Sequence, residues 1–540
     1  MTIPGQAQGY WKFKQWHWMP GVKKAIIYAP LWKKRHNREI RLSEAINMGT
    51  LPSRLQFVIL ALYIASNAVY LLFVDWRQAN KYALCAEIRG RSGSLAVVNM
   101  VPLIIMAGRN NPMISMLQIS FDTYNLLHRW MGRVIVLESM IHISVWAIVQ
   151  VADGGWSSVW WKVFHDTFCA SGASAVSSMA ILLVLSLSPL RHAFYETFLT
   201  THIALAFIIF VCTWIHCALP GLPGGEALPQ LPYIITVMTI WFFDRLARMV
   251  RLAHCNWSTR GWTEAVVEPV PGEACRVTMH LPRFVDVKPG SHAYIRFAGV
   301  NFWENHPFSI AWVEHSYTDE VLPLIETDSP VVGRPVATTV SFVIGAHTGF
   351  TRKLYNRAME ETAASKVRAI SLKAAFEGPY GGHHSMDSYG HAVLFAGATG
   401  ITHQISYLRH IIQGYTEQTV ATRRVTLVWV IRDHEALEWV RPWMDKVLRM
   451  ENRVDVLRIK LFVTRPKNSK EILSPSQTVQ IYPGRPNITT LLNQEVHEQL
   501  GAMCVTVCGP GSLADDVRLA VRKVQARRTV VDFVEESFSW

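Results

Sequence analysis

Long apolar stretches are confined to the first half of the chain, and six of them approach the length of a membrane-spanning helix. They lie near residues 54–74, 93–108, 128–150, 173–190, 198–217 and 232–250. Because a helix needs roughly 20 apolar residues to cross a bilayer, the pattern predicts about six membrane helices within residues 53–251. An even number of crossings would leave the segment before the first helix and the region after the last on one side of the membrane.

After residue 251 the pattern changes to that of a soluble protein. Short segments of alternating polar and apolar residues fill most of residues 252–385, which predicts a small antiparallel β-barrel. In residues 386–540 short apolar strands alternate with helical segments, as in an α/β domain with a parallel sheet. The sequence therefore predicts a helical membrane domain followed by two soluble domains.

Four histidines stand at matched positions in two of the predicted membrane helices. Fourteen residues separate His128 from His142, and fourteen separate His202 from His216. Fourteen residues rise about 21 Å along an α-helix and return to nearly the same face, so two neighbouring helices would offer two stacked His–His pairs. A single membrane histidine more often has a packing, interface or proton-relay role, but two matched pairs favour axial ligation of two haems.

Composition and charge narrow the class of protein further. Half of the 540 residues are hydrophobic, and the net charge is +13. Much of the excess of positive charge lies in residues 1–52, a basic segment without the apolar core of a signal peptide. We interpret this positive charge as facing the membrane surface. No module of interleaved basic and aromatic residues indicates a nucleic-acid partner. The eight cysteines lack metal-binding spacing, and Cys85 and Cys169 are either a disulfide or two free thiols.

The positive-inside tendency predicts that residues 1–52 are cytosolic. The two histidine-bearing helices then both start inside, which makes His128 and His202 the inner pair and the other two the outer pair. Four basic residues in the predicted outer loop, residues 75–91, argue against this orientation. We interpret the arginines near the predicted haems either as partners of the anionic propionates or as ordinary flanking charge. These are Arg91 near the outer haem and Arg109, Arg129 and Arg133 near the inner haem.

Two motifs in the predicted barrel are candidates for flavin binding. In HPFSI the proline fixes the backbone, and the histidine and serine can donate hydrogen bonds to a flavin or its phosphates. GFTRKL opens a predicted helix, and a helix N-terminus beside a cation is a ready pyrophosphate site, although a plain capped helix has the same pattern. The candidate residues are His306, Pro307, Phe308, Ser309, Gly349, Thr351 and Arg352.

Further motifs in the α/β region indicate a nucleotide site. AVLFAGATGIT reads as a buried strand, a glycine-containing turn and a helix, and MCVTVCGPG as a second strand whose cysteine would position a ligand rather than react. Strand ends on one edge of a parallel sheet form the ligand crevice of such folds. An arginine at another strand end could bind the 2′-phosphate of NADPH, and the terminal tryptophan either stacks on a flavin or frays. The candidate residues are Gly397, Thr399, Gly400, Ile401, Thr402, Arg432, Cys508, Gly509, Pro510 and Trp540.

HPFS, GFTRKL, EGPYG, GATGIT and CGPG, in this order behind a four-histidine bundle, resemble the fungal ferric reductase (metalloreductase) family, which is related to the NADPH oxidases. The resemblance implies a membrane α-helical domain (53–251) that binds two b-type haems through the four histidines. It also implies a ferredoxin-reductase-like module: an antiparallel β-barrel that binds FAD (252–385) and an α/β domain that binds NADPH (386–540). Many members carry a further N-terminal helix or extracellular region, so the short N-terminus expected here puts an iron-capturing outer domain in doubt.

The function implied by the resemblance is that of a transmembrane ferric-chelate reductase. Electrons would pass from cytosolic NADPH through FAD and two haems to extracytoplasmic Fe(III), in support of iron uptake. The expected partners are iron chelates, with copper as an open second acceptor, the lipid membrane and a downstream iron permease–oxidase system. The expected location is the plasma membrane, with the vacuolar membrane as the alternative.

Three rival functions remain at this point. An NADPH oxidase that makes superoxide typically has its fifth-helix histidines one residue closer, so the equal spacing favours the metalloreductase. A non-catalytic haem or redox sensor would not need the full set of nucleotide motifs. A pore or transporter would be supported by inverted repeats or broken helices, and the sequence has neither signature.

Overall fold

The apolar and soluble halves of the chain form two separate units in the computed structural model. The structure describes residues 15–33, 36, 40, 50–219, 226–259, 261–317, 335–467, 474, 476–526 and 529–536. We call Glu39–Ala247 the helical unit. The sheet unit combines Met1–Arg38 with Arg248–Trp540.

The helical unit is built from the stretches that the sequence predicts as membrane helices. Its long helices are α1 (Arg54–Leu72), α2 (Lys81–Ala107), α3 (Phe121–His165), α4 (Thr167–Leu185), α5 (Tyr195–Ala218) and α6 (Leu231–Asn256), which continues into the sheet unit. Two short helices are Pro112–Leu117 and Ser188–Ala193. In the described part of the chain, α1 to α5 are long and apolar enough to cross a membrane. The sixth predicted span also forms a helix, α6, but Asp244, Arg245 and Arg248 interrupt its apolar run, so composition alone selects five.

Helix α2 begins well before the apolar run that predicts it. The side chain of Asn80 accepts a hydrogen bond of 3.0 Å from the backbone N–H of Tyr82 and so caps the helix. A capped polar turn extends a helix beyond its apolar part, which hydropathy alone does not reveal. Arg89 and Arg91, expected in a loop, are therefore helical. All eight cysteines, Cys85 and Cys169 among them, are free thiols.

The first part of the sheet unit is an antiparallel half-barrel, as the alternating pattern predicts. A two-stranded hairpin precedes it, β1 (Trp257–Ser258) and β2 (Gly261–Trp262). The half-barrel strands are β3 (Glu264–Val270), β4 (Ala274–Leu281), β5 (Ser291–Phe297), β6 (Asn301–Ser309), β7 (Trp312–Tyr317), β8 (Pro335–Gly345) and β9 (Ile370–Gly381). Their order in the sheet is β6-β5-β9-β3-β4-β8-β7. The segment EGPYG belongs to β9, where its Glu377 is buried, rather than to a free turn.

The second part of the sheet unit is a six-stranded parallel sheet with helices on its faces. The strands are β10 (His391–Gly397), β11 (Arg424–Ile431), β12 (Leu457–Val463), β13 (Val479–Pro483), β14 (Met503–Cys508) and β15 (Val531–Glu536). The helices of eight or more residues in the sheet unit are α7 (Phe350–Ser365), α8 (Ile401–Thr416), α9 (Arg441–Leu448), α10 (Ile488–His497) and α11 (Gly511–Val524). The strand order in the sheet is β13-β12-β11-β10-β14-β15. Strands β11 to β13 are added on one side of β10, and β14 and β15 on the other. Parallel α/β sheets bind ligands at such a switch point, which here lies between β10 and β14.

The described part of the basic N-terminal segment is folded onto the sheet unit. Lys23 pairs with Asp532 of β15 at 2.6 Å between Nζ and Oδ1. The hydroxyl of Tyr28 accepts a hydrogen bond of 3.2 Å from the backbone N–H of Phe533, and the two aromatic rings meet edge to face. The first described residues and the last strand are therefore held together.

Candidate cofactor sites

The structure brings the four predicted histidines together as two pairs, one above the other on α3 and α5. The ring centres of His128 and His202 are 6.1 Å apart, and those of His142 and His216 are 6.3 Å apart. Each pair joins one residue of α3 to one of α5. The geometry therefore offers two sites in which a ligand could lie between facing imidazoles.

The pair formed by His142 and His216 is oriented by two matching contacts. Nδ1 of His142 lies 2.8 Å from the carbonyl oxygen of Arg89, and Nδ1 of His216 lies 2.8 Å from that of Phe168. A carbonyl oxygen only accepts, so each Nδ1 carries the proton and donates it. In a neutral imidazole this leaves the Nε2 lone pair free, as in histidines that ligate a metal.

Two glycines allow these contacts. Gly93 lies one helical turn after Arg89, and Gly172 one turn after Phe168. A Cβ atom at Gly93 would lie 2.7 Å from Nδ1 of His142, and one at Gly172 would lie 2.9 Å from Nδ1 of His216. Only a residue without a side chain lets each ring approach the carbonyl of the neighbouring helix.

The other pair is oriented on one side only. Nδ1 of His128 lies 3.1 Å from the carbonyl oxygen of Leu103, which fixes that ring in the same tautomer. Nδ1 of His202 is buried and has no hydrogen-bond partner within the described residues. Three of the four rings are thus held with Nε2 available.

The spacing of the rings fits a six-coordinate haem. Imidazole–metal bonds of about 2 Å, with roughly 1 Å more from each bonding nitrogen to the ring centre, set facing imidazoles about 6 Å apart. The observed separations of 6.1 and 6.3 Å agree with this value. A cavity of about 350 Å³ opens beside His142 and His216, with Gly93, Gly172 and mainly apolar side chains in its walls.

Arginines accompany both pairs, and two of them, Arg89 and Arg191, lie outside the predicted set. Arg89 lines the cavity beside His142, whereas the predicted Arg91 forms an ion pair of 3.0 Å with Glu87. Near His128, Arg129 interacts electrostatically with both Arg133 and Arg191. Sequence reasoning missed Arg191.

Arg191 is 8% exposed, and its Nε has no hydrogen-bond partner among the described residues. Three neighbouring cations, one of them with an unpaired buried N–H, favour an anionic ligand such as a haem propionate. The segment RHAFYETF, shortly before His202, was the signal that could have revealed this residue.

The flavin motifs meet where β6 approaches the start of α7. His306 and Ser309 lie in β6, and Ser309 is buried. The His306 ring contacts the ring of Phe350, the first residue of α7, with centres 4.9 Å apart. Burial lowers the pKa of His306, which favours the neutral imidazole. The two predicted flavin motifs are therefore neighbours in space.

The turn before α7 is held by its own arginine. The Arg352 guanidinium donates to the carbonyl oxygens of Ala346 and His347 at 2.8 and 3.0 Å, and it pairs with Glu273 at 2.9 Å. Gly349 at the helix N-cap has φ 68°, and no side chain caps the helix. The first N–H groups of α7 thus remain available to an anion, while Arg352 acts first as a clamp on the turn.

The nucleotide motifs converge at the switch point between β10 and β14. A Cβ atom at Gly400 would lie 2.1 Å from the carbonyl oxygen of Cys508, and one at Gly397 would lie 2.5 Å from the Pro510 ring. Gly509 has φ 154°, a conformation that favours glycine. The two strand ends are in direct backbone contact and form the floor of a crevice.

Other predicted residues lie around this floor. The Thr402 hydroxyl donates to the carbonyl oxygen of Thr399 at 2.8 Å, and Ile401 is buried in the sheet core. Arg432 is exposed at the end of β11. Trp540 lies outside the described residues. Burial raises the pKa of the Cys508 thiol, which keeps it protonated and agrees with a positioning role.

Replacing Gly400 with alanine should separate the two strand ends. Overpacking of this kind costs about 1–3 kcal/mol, so we expect the KM for a nicotinamide nucleotide to rise about tenfold. Steady-state kinetics on the purified protein would measure the change. Gly21→Ala is the matched control, because a Cβ atom added at Gly21 would meet no other atom within 4 Å. An unchanged KM in Gly400→Ala would show that the contact does not shape the nucleotide site.

Paired histidines in apolar helices, followed by a half-barrel and a parallel sheet with a glycine-lined crevice, define a membrane oxidoreductase with a ferredoxin-reductase-like module. Family models match three successive regions of the chain. Residues 92–213 match the ferric reductase like transmembrane component, residues 260–384 an FAD-binding domain, and residues 389–522 the ferric reductase NAD binding domain. The chain is therefore similar to ferric reductases in its helical part and in its nucleotide-binding domain, with an FAD-binding domain between them.

Relatives in fungi match along most of the chain. Ferric/cupric reductase transmembrane component 2 of Saccharomyces cerevisiae is 24% identical over 541 residues, which cover 91% of this chain and 68% of the relative. Ferric reductase transmembrane component 3 of the same organism is 24% identical over 561 residues, 96% of this chain and 71% of the relative. The probable cell surface ferric reductase kap2 of Aspergillus oryzae is 28% identical over 367 residues, 65% of this chain and 44% of the relative.

Proposed function

We propose that the protein is a ferric-chelate reductase that takes electrons from cytosolic NADPH and delivers them to Fe(III) on the opposite side of a membrane, in support of iron uptake. The observation that carries the proposal is the stack of two His–His pairs on α3 and α5, in a chain that also has FAD- and NAD-binding domains. The relatives named ferric reductase and ferric/cupric reductase support iron as the electron acceptor. The second of these names also supports copper as an additional acceptor.

The proposed resident cofactors are two b-type haems and FAD, with NADPH as the donor. When bound, FAD supplies the conversion of a two-electron hydride into single electrons, and the haems supply one-electron relay across the apolar layer. The protein's part is to bind these groups, orient them and exclude water. Its residues contribute position and charge rather than covalent chemistry.

In this proposal the four histidines hold the haems. His142 and His216 would ligate the outer haem, and the Arg89 and Phe168 carbonyls would hold each ring in the tautomer that leaves Nε2 free. His128 and His202 ligate the inner haem. The propionates of the inner haem would meet the neighbouring arginines, which are Arg129, Arg133 and Arg191.

The sheet unit holds the other two groups. For FAD the proposed residues are His306, Pro307, Phe308, Ser309, Gly349, Thr351 and Arg352. For NADPH they are Gly397, Thr399, Gly400, Ile401, Thr402, Arg432, Cys508, Gly509 and Pro510, with Trp540 stacking on the flavin. The uncapped start of α7 supports the first set, and the close contact of the strand ends supports the second.

The proposed topology has six crossings, although composition selects only α1 to α5. The packing of Lys23 and Tyr28 on β15 supports an even number, because a segment before α1 and a strand after α6 can touch only on one side of the membrane. Helix α6 would be the sixth crossing, with its charged residues near its cytosolic end. The proposed domains are 1–52, 53–251, 252–385 and 386–540.

The proposed location is the plasma membrane, with the vacuolar membrane as the alternative. One relative is named a probable cell surface ferric reductase, which supports the first choice. A permease–oxidase system that takes up the Fe(II) produced is the proposed downstream partner.

Reduction of an impermeant ferric chelate by cells expressing the protein, with and without oxygen, tests the proposal. We expect Fe(II) to form at the same rate in both conditions, because the electron reaches the chelate directly. Superoxide dismutase should have no effect. Iron reduction that needs oxygen, or that superoxide dismutase abolishes, would instead identify an NADPH oxidase.

A further inference from the structure

A buried carboxyl group lies in α3 between the two histidine pairs. Glu138 follows His128 by ten residues and precedes His142 by four, and it is 3% exposed. Ten and four residues correspond to about 15 and 6 Å along the helix axis. The cavity beside His142 is lined by Ser139 and not by Glu138, so the carboxyl group is set back from that site. Ionisable groups at such depth are costly and usually functional.

The hydrogen-bond partner of Glu138 is a neutral amide on α2, which is linked in turn to a second amide on α1. Nδ2 of Asn99, on α2, lies 3.2 and 3.1 Å from the two carboxyl oxygens and 2.7 Å from Oδ1 of Asn67. Asn67, on α1, donates to the carbonyl oxygen of Tyr63 at 2.8 Å. In the described part of the chain, no cation forms an ion pair with Glu138.

Few other titratable groups face this cluster. On α1 the phenol of Tyr63 interacts electrostatically with Glu138. The nearest charged residue of α2, Arg91, lies eight positions before Asn99, about 12 Å along the helix. Helix α4, which also packs on α3, has no acidic or basic residue. On α3 itself the nearest cation, Arg133, stacks over the Trp130 ring. The state of the carboxyl group therefore depends mainly on charge in the two histidine sites.

The charge in those sites changes by one unit with each electron. A ferric ion in a dianionic porphyrin has a net positive charge, and a ferrous ion leaves the core neutral. A carboxylate held only by a neutral amide is stable in a low dielectric while a positive charge is close, and it gains proton affinity when that charge disappears.

From this arrangement we infer that Glu138 is a proton-binding site coupled to electron transfer between the His–His pairs, an inference that rests on the proposed function. One electron that enters the outer site is matched by one proton that passes from water to the Glu138 carboxylate. When the electron leaves for the acceptor, the carboxylic acid releases that proton. The cycle consumes no proton and needs no further oxidant or reductant.

Redox titration of the haem absorbance at a series of pH values tests the inference. In the wild-type protein the midpoint potential of one haem should fall by up to about 59 mV for each tenfold drop in proton activity. Glu138→Gln keeps the size and the hydrogen-bond acceptor but cannot ionise, so that haem should lose its pH dependence. Glu226→Gln, an exposed acidic residue of the helical unit, should keep it. The inference would be overturned if the midpoint potential had the same pH dependence in wild type and in Glu138→Gln while both proteins bound two haems.

Infrared difference spectra of the wild-type protein provide a second test that needs no variant. Reduction should produce a protonated-carboxyl band that shifts when glutamate is labelled with carbon-13. Absence of such a band would overturn the inference even if Glu138→Gln failed to fold. If the protein binds haem and reduces Fe(III) but protonation of Glu138 does not accompany haem reduction, only this inference fails. If the protein binds no haem, the proposed function itself is refuted.

Discussion

On the proposed ligation of two haems by the four histidines, replacing His142 with alanine will remove one haem and abolish ferric reduction. The substitution removes the imidazole whose centre lies 6.3 Å from that of His216, and it leaves the Arg89 carbonyl without its donor. Loss of an orienting partner of a metal ligand alone costs about 10- to 100-fold, so loss of a ligand should reduce the rate by more than about 100-fold. Haem per chain, measured as the pyridine complex, should fall from about two to about one.

A histidine at the end of the same helix provides the control. His165 is exposed and stacks on Trp161, away from both pairs, so His165→Ala should keep both haems and the wild-type rate. Two haems per chain in His142→Ala would contradict the assignment of the outer pair. Loss of both haems in His165→Ala would mean that haem content reports folding rather than ligation.

Replacing Glu377 with alanine will strongly destabilise the sheet unit. This carboxylate in β9 is 2% exposed and binds two guanidinium groups, Arg248 at 2.7 Å and Arg296 at 3.2 Å, and it also accepts from Tyr380 at 3.1 Å. Removal of one partner of a buried ion cluster costs about 3–5 kcal/mol, because the remaining charges lose a counter-charge while they stay buried. Here two arginines with 14% and 15% exposed side chains would face each other.

Release of flavin fluorescence on heating would measure this loss as a lower Tm. Glu377→Gln keeps an acceptor oxygen but carries no negative charge, so it should remain clearly less stable than wild type. Glu360→Gln, on the exposed face of α7, should have a wild-type Tm. A Tm of Glu377→Ala within the scatter of that control would show that the cluster does not stabilise the sheet unit.

Periodic patterns predicted the parts of the molecule that depend on short-range geometry. The helical repeat is enough to put His128 and His142 on one face of α3. Because His202 and His216 have the same spacing in α5, the sequence also predicts that the two helices can pair their histidines. The alternation of β3 to β5 and the buried strand β10 likewise follow from residues close in sequence. Domain order could therefore be predicted without a structure.

Contacts between distant residues could not be predicted in this way. Gly93 reads as an ordinary helix glycine until its distance to His142 is known. The pairing of Arg352 with Glu273 could not be read from the sequence, and Arg191 is one cation among many there. The start of α2 depended on a cap at Asn80, which hydropathy does not measure.

The glycine–histidine contacts also bear on how the protein acquires its cofactors. Each contact is a hydrogen bond between two helices at one position along their axes. It joins α2 to α3 at Arg89 and α4 to α5 at Phe168. Apolar helices slide along one another with little resistance, whereas a buried donor that loses its acceptor costs about 1–3 kcal/mol. Each contact thus fixes the height and the tautomer of one histidine against a neighbouring helix without help from a ligand. On the proposed function, newly inserted chains would present His142 and His216 already oriented for ligation, so that maturation would not require these two rings to turn.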